Sequence, residues 1–155
     1  MLFPMAPGHE IIAEIEKIGD EAKDFKPGDL VGFGLSRDCC EKCKACRSGN
    51  DQLCPEWYVL TYDPYLGGYS THMQVKASFV FHVPPNLDNK KAAPILCARV
   101  TVFAPLKRWG IPGARCGVVG IGGGLEHMAV QIANKMGMHV VTISTNPSKE
   151  AGAKE

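Results

Sequence analysis

Cys40, Cys43, Cys46 and Cys54 stand in the spacing C-x2-C-x2-C-x7-C, and no other feature limits what this chain can fold into as tightly. A loop that short can carry four thiolates onto one tetrahedral metal, and zinc is the ion that four sulfurs suit best. Four protein ligands leave no position open for water or substrate, so the pattern reads as a structural metal lobe over about residues 39–55. A ferredoxin-type iron–sulfur run shares the C-x2-C-x2-C start and a proline after the last cysteine, but its final gap is shorter. Lys42, Lys44 and Arg47 lie inside the loop, where they can offset the negative charge of four thiolates on a dication. Cys39, beside the lobe, reads as a bystander.

The wider cysteine usage agrees with metal binding. Of seven cysteines in 155 residues, five fall between Cys39 and Cys54, and the odd total does not suit a disulfide framework. The first residues have neither a basic start nor an apolar h-region, so no secretory signal is expected and a reducing, cytoplasmic setting is. Seventeen basic against sixteen acidic residues leave a net charge of +1, which gives no footprint for nucleic acid or an anionic membrane surface. No apolar run reaches membrane-spanning length.

Two halves differ in character. In the first, Ile11–Ile18 reads as a strand entering a turn at Gly19-Asp20, and Leu30–Gly34 as the next strand after the turn residues of 25–29. Beyond the lobe, Thr71–Val75 and Phe79–Val83 read as strands. In the second half, Asp88 is placed to cap a helix through Lys90, Ala92 and Ala93, and a further helix is expected from Ile95 to Trp109. Cys116–Val119 then reads as a strand, followed by a glycine turn. Met128, Ala129, Ile132, Ala133 and Met136 fall at helical spacing up to Gly137, and His139–Ile143 is a second strand. Strand, glycine turn, helix and strand make a βαβ unit. A parallel sheet needs more strands and covered faces, so this one reads as cut off at Glu155.

The glycine turn departs from the G-x-G-x-x-G fingerprint. Gly120 and Gly122 hold the first two places, Leu125 stands at the third, and Gly123 and Gly124 lie between. Where an NAD-selective site would carry an acid, the chain has Ser144, Thr145, Asn146, Pro147, Ser148 and Lys149. Hydroxyls, an amide and a lysine suit a 2′-phosphate, which points to NADP; an ordinary polar loop is the plainer reading. His9 after Gly8, and Cys97, taken alone, read as structural residues.

Taken together, these residues resemble the zinc-dependent medium-chain alcohol dehydrogenases, cinnamyl alcohol dehydrogenase branch, over essentially the whole chain. The matching segments are Pro7-Gly8-His9-Glu10, the four lobe cysteines, Gly67-Gly68-Tyr69-Ser70, Leu96-Cys97-Ala98 with Thr101, Pro105–Gly110, Gly117–Gly120, and Ile143–Thr145 with Pro147–Lys149. The resemblance implies an α/β fold with a β-rich part: a partial GroES-like domain over residues 1–94, then a linking helix and the first βαβ unit of a Rossmann domain over residues 95–155. It implies that His9 and Cys97 ligate a catalytic zinc with Glu10 beside it, that Thr101 lies near the nicotinamide, and that Ser144, Thr145, Asn146 and Lys149 hold the 2′-phosphate of NADP. The implied activity is interconversion of primary alcohols and aldehydes by hydride transfer, in a homodimer or a larger assembly.

The pattern also has departures. The family's further catalytic cysteine and proton-relay hydroxyl lie upstream of Met1. Arg99 replaces a glycine, the stretch between Tyr62 and Gly67 is short, and the turn carries an extra glycine with Glu126 where glycine is expected. The alternative reading is a catalytically inactive remnant that serves as a zinc-stabilised binding or interaction module.

Overall fold

Short apolar runs broken by glycine and proline form the first unit in the computed structural model, which describes residues 3–60, 65–120 and 122–151. Strands β1 (Ile11–Glu14) and β2 (Leu30–Phe33) pair antiparallel, with Ile11 opposite Phe33 and Glu14 opposite Leu30. Strand β3 (Ser36–Asp38) pairs with β4 (Tyr58–Val59), and β5 (Phe81–His82) joins the other edge of β2. β1 ends four residues before the expected Ile18. Its last apolar residue has no core to reach, since Ile18 is exposed, and the chain turns through hydrogen bonds between Ile15 and residues 28–29.

Ile11, Phe33 and Leu60 form the core of this unit, with Phe33 and Leu60 each only 2% exposed. Met73 and Val75 pack against that cluster, but Thr71–Val75 is not a strand. The alternating apolar residues mark a packing face without a ladder. The expected strand over Phe79–Val83 shrinks likewise to β5, after a 3-10 turn at Ala77–Phe79.

Asp88 caps as expected: its carboxylate accepts from the Lys90 N–H at 2.9 Å, opening the helical turn Asn89–Ala92. The helix expected from Ile95 does not start there. Pro94 leads a 3-10 turn, Ala93–Leu96, and Cys97 at φ −134° and ψ −73° breaks the run before the long helix Ala98–Trp109 begins. The chain divides into compact units at this point, Met1–Cys97 and Ala98–Glu155.

In the second unit, β6 (Arg115–Val119) and β7 (His139–Ile143) pair in parallel, in register from Arg115 opposite His139 to Val119 opposite Ile143. The crossover is the helix Gly124–Lys135. Val118, Ala133 and Met138 are buried, while Val119, Val141 and Ile143 are exposed. Among the described residues no helix is long and apolar enough to cross a membrane. The short stretch after Tyr62 falls in part on residues 61–64, outside the described residues, as does Ile121 of the glycine turn.

One close approach fixes the segment that carries His9. Gly68 and Tyr69 donate their N–H groups to the carbonyls of Gly8 and Pro7 at 2.8 and 2.9 Å. A Cβ on Gly67 would collide with the Ala6 carbonyl oxygen, so only glycine lets the two backbones lie this near. Gly67→Ala should lower stability by about 1–3 kcal/mol. Urea unfolding checks this: the midpoint should fall with an unchanged m-value.

Candidate functional site

The four cysteines of the lobe converge. Cys40 lies 3.5 Å from Cys54 and 3.9 Å from Cys46, and Cys43 lies 3.5 Å from Cys46, sulfur to sulfur. All four sulfurs fall within 4.8 Å of one another. Sulfurs bound tetrahedrally at about 2.3 Å from zinc stand about 3.8 Å apart, so the set fits that ion.

Local backbone aims these sulfurs. Glu41 adopts φ +56°, a left-handed conformation uncommon outside glycine, which reverses the chain between Cys40 and Cys43. The reversal turns the N–H groups of Lys42 and Cys43 toward the Cys40 sulfur and holds that thiol at about 7, below its ordinary 9.0. Cys40 N–H and Glu56 N–H in turn approach the Cys54 sulfur at 3.5 and 3.3 Å. On balance Cys54 is raised: the Cys40 N–H draws it down, while burial and the Cys40 thiol beside it push it up. Burial, then the thiols of Cys43 and Cys39, push Cys46 up. For Cys40, backbone amides supply the compensation that the sequence led us to expect from lysine side chains.

A second charged group ties the lobe to the rest of its unit. The Lys76 ammonium donates to Asp38 at 2.9 Å and lies 3.1 Å from Glu41, and the Ser78 hydroxyl donates to Glu41 at 2.8 Å. Lys76 thereby holds Asp38 below its ordinary 3.8, and Ser78 and then Lys76 hold Glu41 below 4.5. Nothing in the sequence spacing signals this contact across nearly forty residues.

His9 and Cys97 meet, Nε2 to Sγ, at 3.2 Å. They are half-buried, and Glu10 is exposed. Among the described residues no third His, Cys, Asp or Glu completes a ligand cluster around the pair. Two donors are half of a tetrahedral cage, so the described residues do not fit a catalytic zinc there and no reaction step is assigned to one.

In the second unit, Thr101 is exposed near the start of its helix. Gly120 and Gly122 adopt φ +91° and +101°, the conformations a glycine turn needs between strand and helix. Gly123 is the helix N-cap and Leu125 is exposed in the first turn, beside Gly124. The Lys149 side chain lies over Gly122, within 3.0–3.4 Å of where a Cβ would stand, so the loop after β7 returns to the glycine turn. Ser144, Thr145, Asn146 and Lys149 are all exposed. Ser144 and Asn146 accept from the N–H groups of Asn146 and Ser148, which sets the loop's shape.

Residues 1–85 match the alcohol dehydrogenase GroES-like domain. The chain is 40% identical over 161 residues to cinnamyl alcohol dehydrogenase 2 of Oryza sativa subsp. japonica, covering 99% of this chain and 44% of that protein. A cinnamyl alcohol dehydrogenase structure from Sorghum bicolor superposes with a TM-score of 0.90 at 38% identity, over 98% of this chain and 46% of that one. The CAD of Helicobacter pylori complexed with NADP(H) gives 0.91 at 36% identity, over 99% and 46%. The chain thus spans about half the length of the relatives it matches.

The Lys76 contact predicts a pH dependence. Both carboxylates are lowered on folding, so their contribution is complete above 3.8 for Asp38 and 4.5 for Glu41, and fades as pH falls through their lower folded values. The groups are well exposed, and screening limits the whole effect to about 1 kcal/mol. Lys76→Met should therefore lower the urea midpoint slightly at pH 6 and leave it unchanged near pH 2.

Proposed function

The chain belongs to the alcohol dehydrogenase GroES-like family, and from that premise we propose that it is a zinc-dependent oxidoreductase that interconverts primary alcohols and aldehydes with NADP. The observation that carries the reading is the joint one of a four-cysteine cluster at zinc-fitting distances and near-complete alignment to cinnamyl alcohol dehydrogenases. Cys40, Cys43, Cys46 and Cys54 would hold a structural zinc. That ion supplies no chemistry to a substrate; it fixes the lobe.

NADP, when bound, would accept hydride from an alcohol in its oxidised form and give it to an aldehyde in its reduced form. The groups that suit it are those of the βαβ unit: Gly120, Gly122, Gly123, Gly124 and Leu125 at the turn, and Ser144, Thr145, Asn146 and Lys149 after β7. Hydroxyl, amide and ammonium donors favour a 2′-phosphate, which a carboxylate at the same place would repel. The H. pylori relative's complex with NADP(H) supports that choice. His9 and Cys97 would orient the alcohol or aldehyde oxygen, with Glu10 next in sequence to His9, and Thr101, in the second unit, would serve the nicotinamide. Aldehydes and alcohols are the substrates the relatives' names imply, and a cluster of cysteines read as metal ligands supports a reducing, cytoplasmic setting.

An assay of NADPH oxidation with cinnamaldehyde at full zinc loading tests this function. Turnover should be measurable and should fall at least about a hundredfold in His9→Ala and in Cys97→Ala, because each would position the substrate oxygen. Absence of turnover in the unmodified chain would contradict the proposed activity.

A further inference from the structure

The glycine turn is already occupied by an anion of the chain's own. Glu126 is the acidic residue in the first turn of the helix Gly124–Lys135, and its side chain folds back over the turn. One carboxylate oxygen fills the space where a Cβ on Gly123 would stand. The other lies 3.3 Å from the corresponding position on Gly120. The first-turn N–H groups of a helix lack intrahelical partners and carry the positive end of the helix dipole, so a carboxylate is favoured there.

That same place is where a dinucleotide would set its diphosphate. Glycines at such a turn leave the backbone bare so that phosphate oxygens can approach it and the helix N-terminus. Here the bare positions at Gly120 and Gly123 are covered by the Glu126 carboxylate, and Gly122 by the aliphatic stem of Lys149. Two anions cannot share the turn without strong repulsion, because a site partly screened from water weakens charge interactions much less than bulk solvent does.

We propose that Glu126 acts as a built-in occupant of the diphosphate position and lowers this chain's affinity for NADP. The inference rests on the dinucleotide reading given above. It makes Glu126 an affinity-determining residue that a bound diphosphate must displace, by rotation about the side-chain bonds that carry its carboxylate away from Gly120 and Gly123.

NADPH fluorescence titrations of the unmodified chain, Glu126→Gln and Glu126→Ala test it, with thermal melts run in parallel. Gln keeps the shape and removes the charge; Ala removes both. Both variants should bind NADPH about tenfold or more tightly than the unmodified chain, Ala gaining most, while their melting temperatures stay level or fall. A carboxylate that serves only to cap the helix would lower the melting temperature on substitution without tightening NADPH. Equal or weaker NADPH binding in both variants, beside measurable binding by the unmodified chain, therefore overturns this proposal alone. No binding by any of the three chains overturns the dinucleotide reading and this proposal with it.

Discussion

Four thiolates held within 4.8 Å of one another repel unless a cation lies among them, and the lobe around them has little else to hold it. Its helix Lys44–Arg47 is four residues long, its 3-10 turn Asp51–Leu53 is three, and neither buries a residue. Segments that short do not persist on backbone hydrogen bonding alone. What remains is the sulfur cluster, the amides aimed at it by the left-handed turn at Glu41, and the contact from Lys76 and Ser78. A metal held by the four sulfurs would be the one interaction strong enough to organise the rest.

Elsewhere in the first unit, backbone proximity does the positioning. Gly67 and Gly68 let one strand of chain lie against Ala6–Gly8, which fixes the segment that carries His9. A Cβ on Gly34 would stand 2.7 Å from the Leu96 carbonyl oxygen, so the end of β2 lies tight against the turn that leads to Cys97. Two close approaches, far apart in sequence, thus bring His9 and Cys97 to 3.2 Å. Neither residue is placed by its own local helix or strand.

Some of this was legible in the sequence and some was not. The βαβ unit was, because helical spacing from Met128 to Met136 and the strand His139–Ile143 are local patterns that burial reinforces. The Asp88 cap was legible for the same reason. Thr71–Val75 misled, since alternation reports a packing face and says nothing of whether a neighbouring strand has an edge to offer. The break at Cys97 was hidden because Pro94 and the residues around it still read as helical in composition. The lobe cysteines announced themselves by spacing, whereas Lys76 reaching Asp38 and Glu41, and Glu126 folding over Gly120 and Gly123, depend on tertiary approach or side-chain direction that spacing does not encode.

The central claim, that a single zinc bound by Cys40, Cys43, Cys46 and Cys54 organises the lobe, is tested most directly by amide hydrogen exchange over residues 43–54, before and after chelation, with zinc counted by elemental analysis. One tightly held zinc per chain is expected, with amides such as those of Arg47, Asn50 and Cys54 losing protection once it is stripped. Equal protection of those amides with and without the metal would contradict the account.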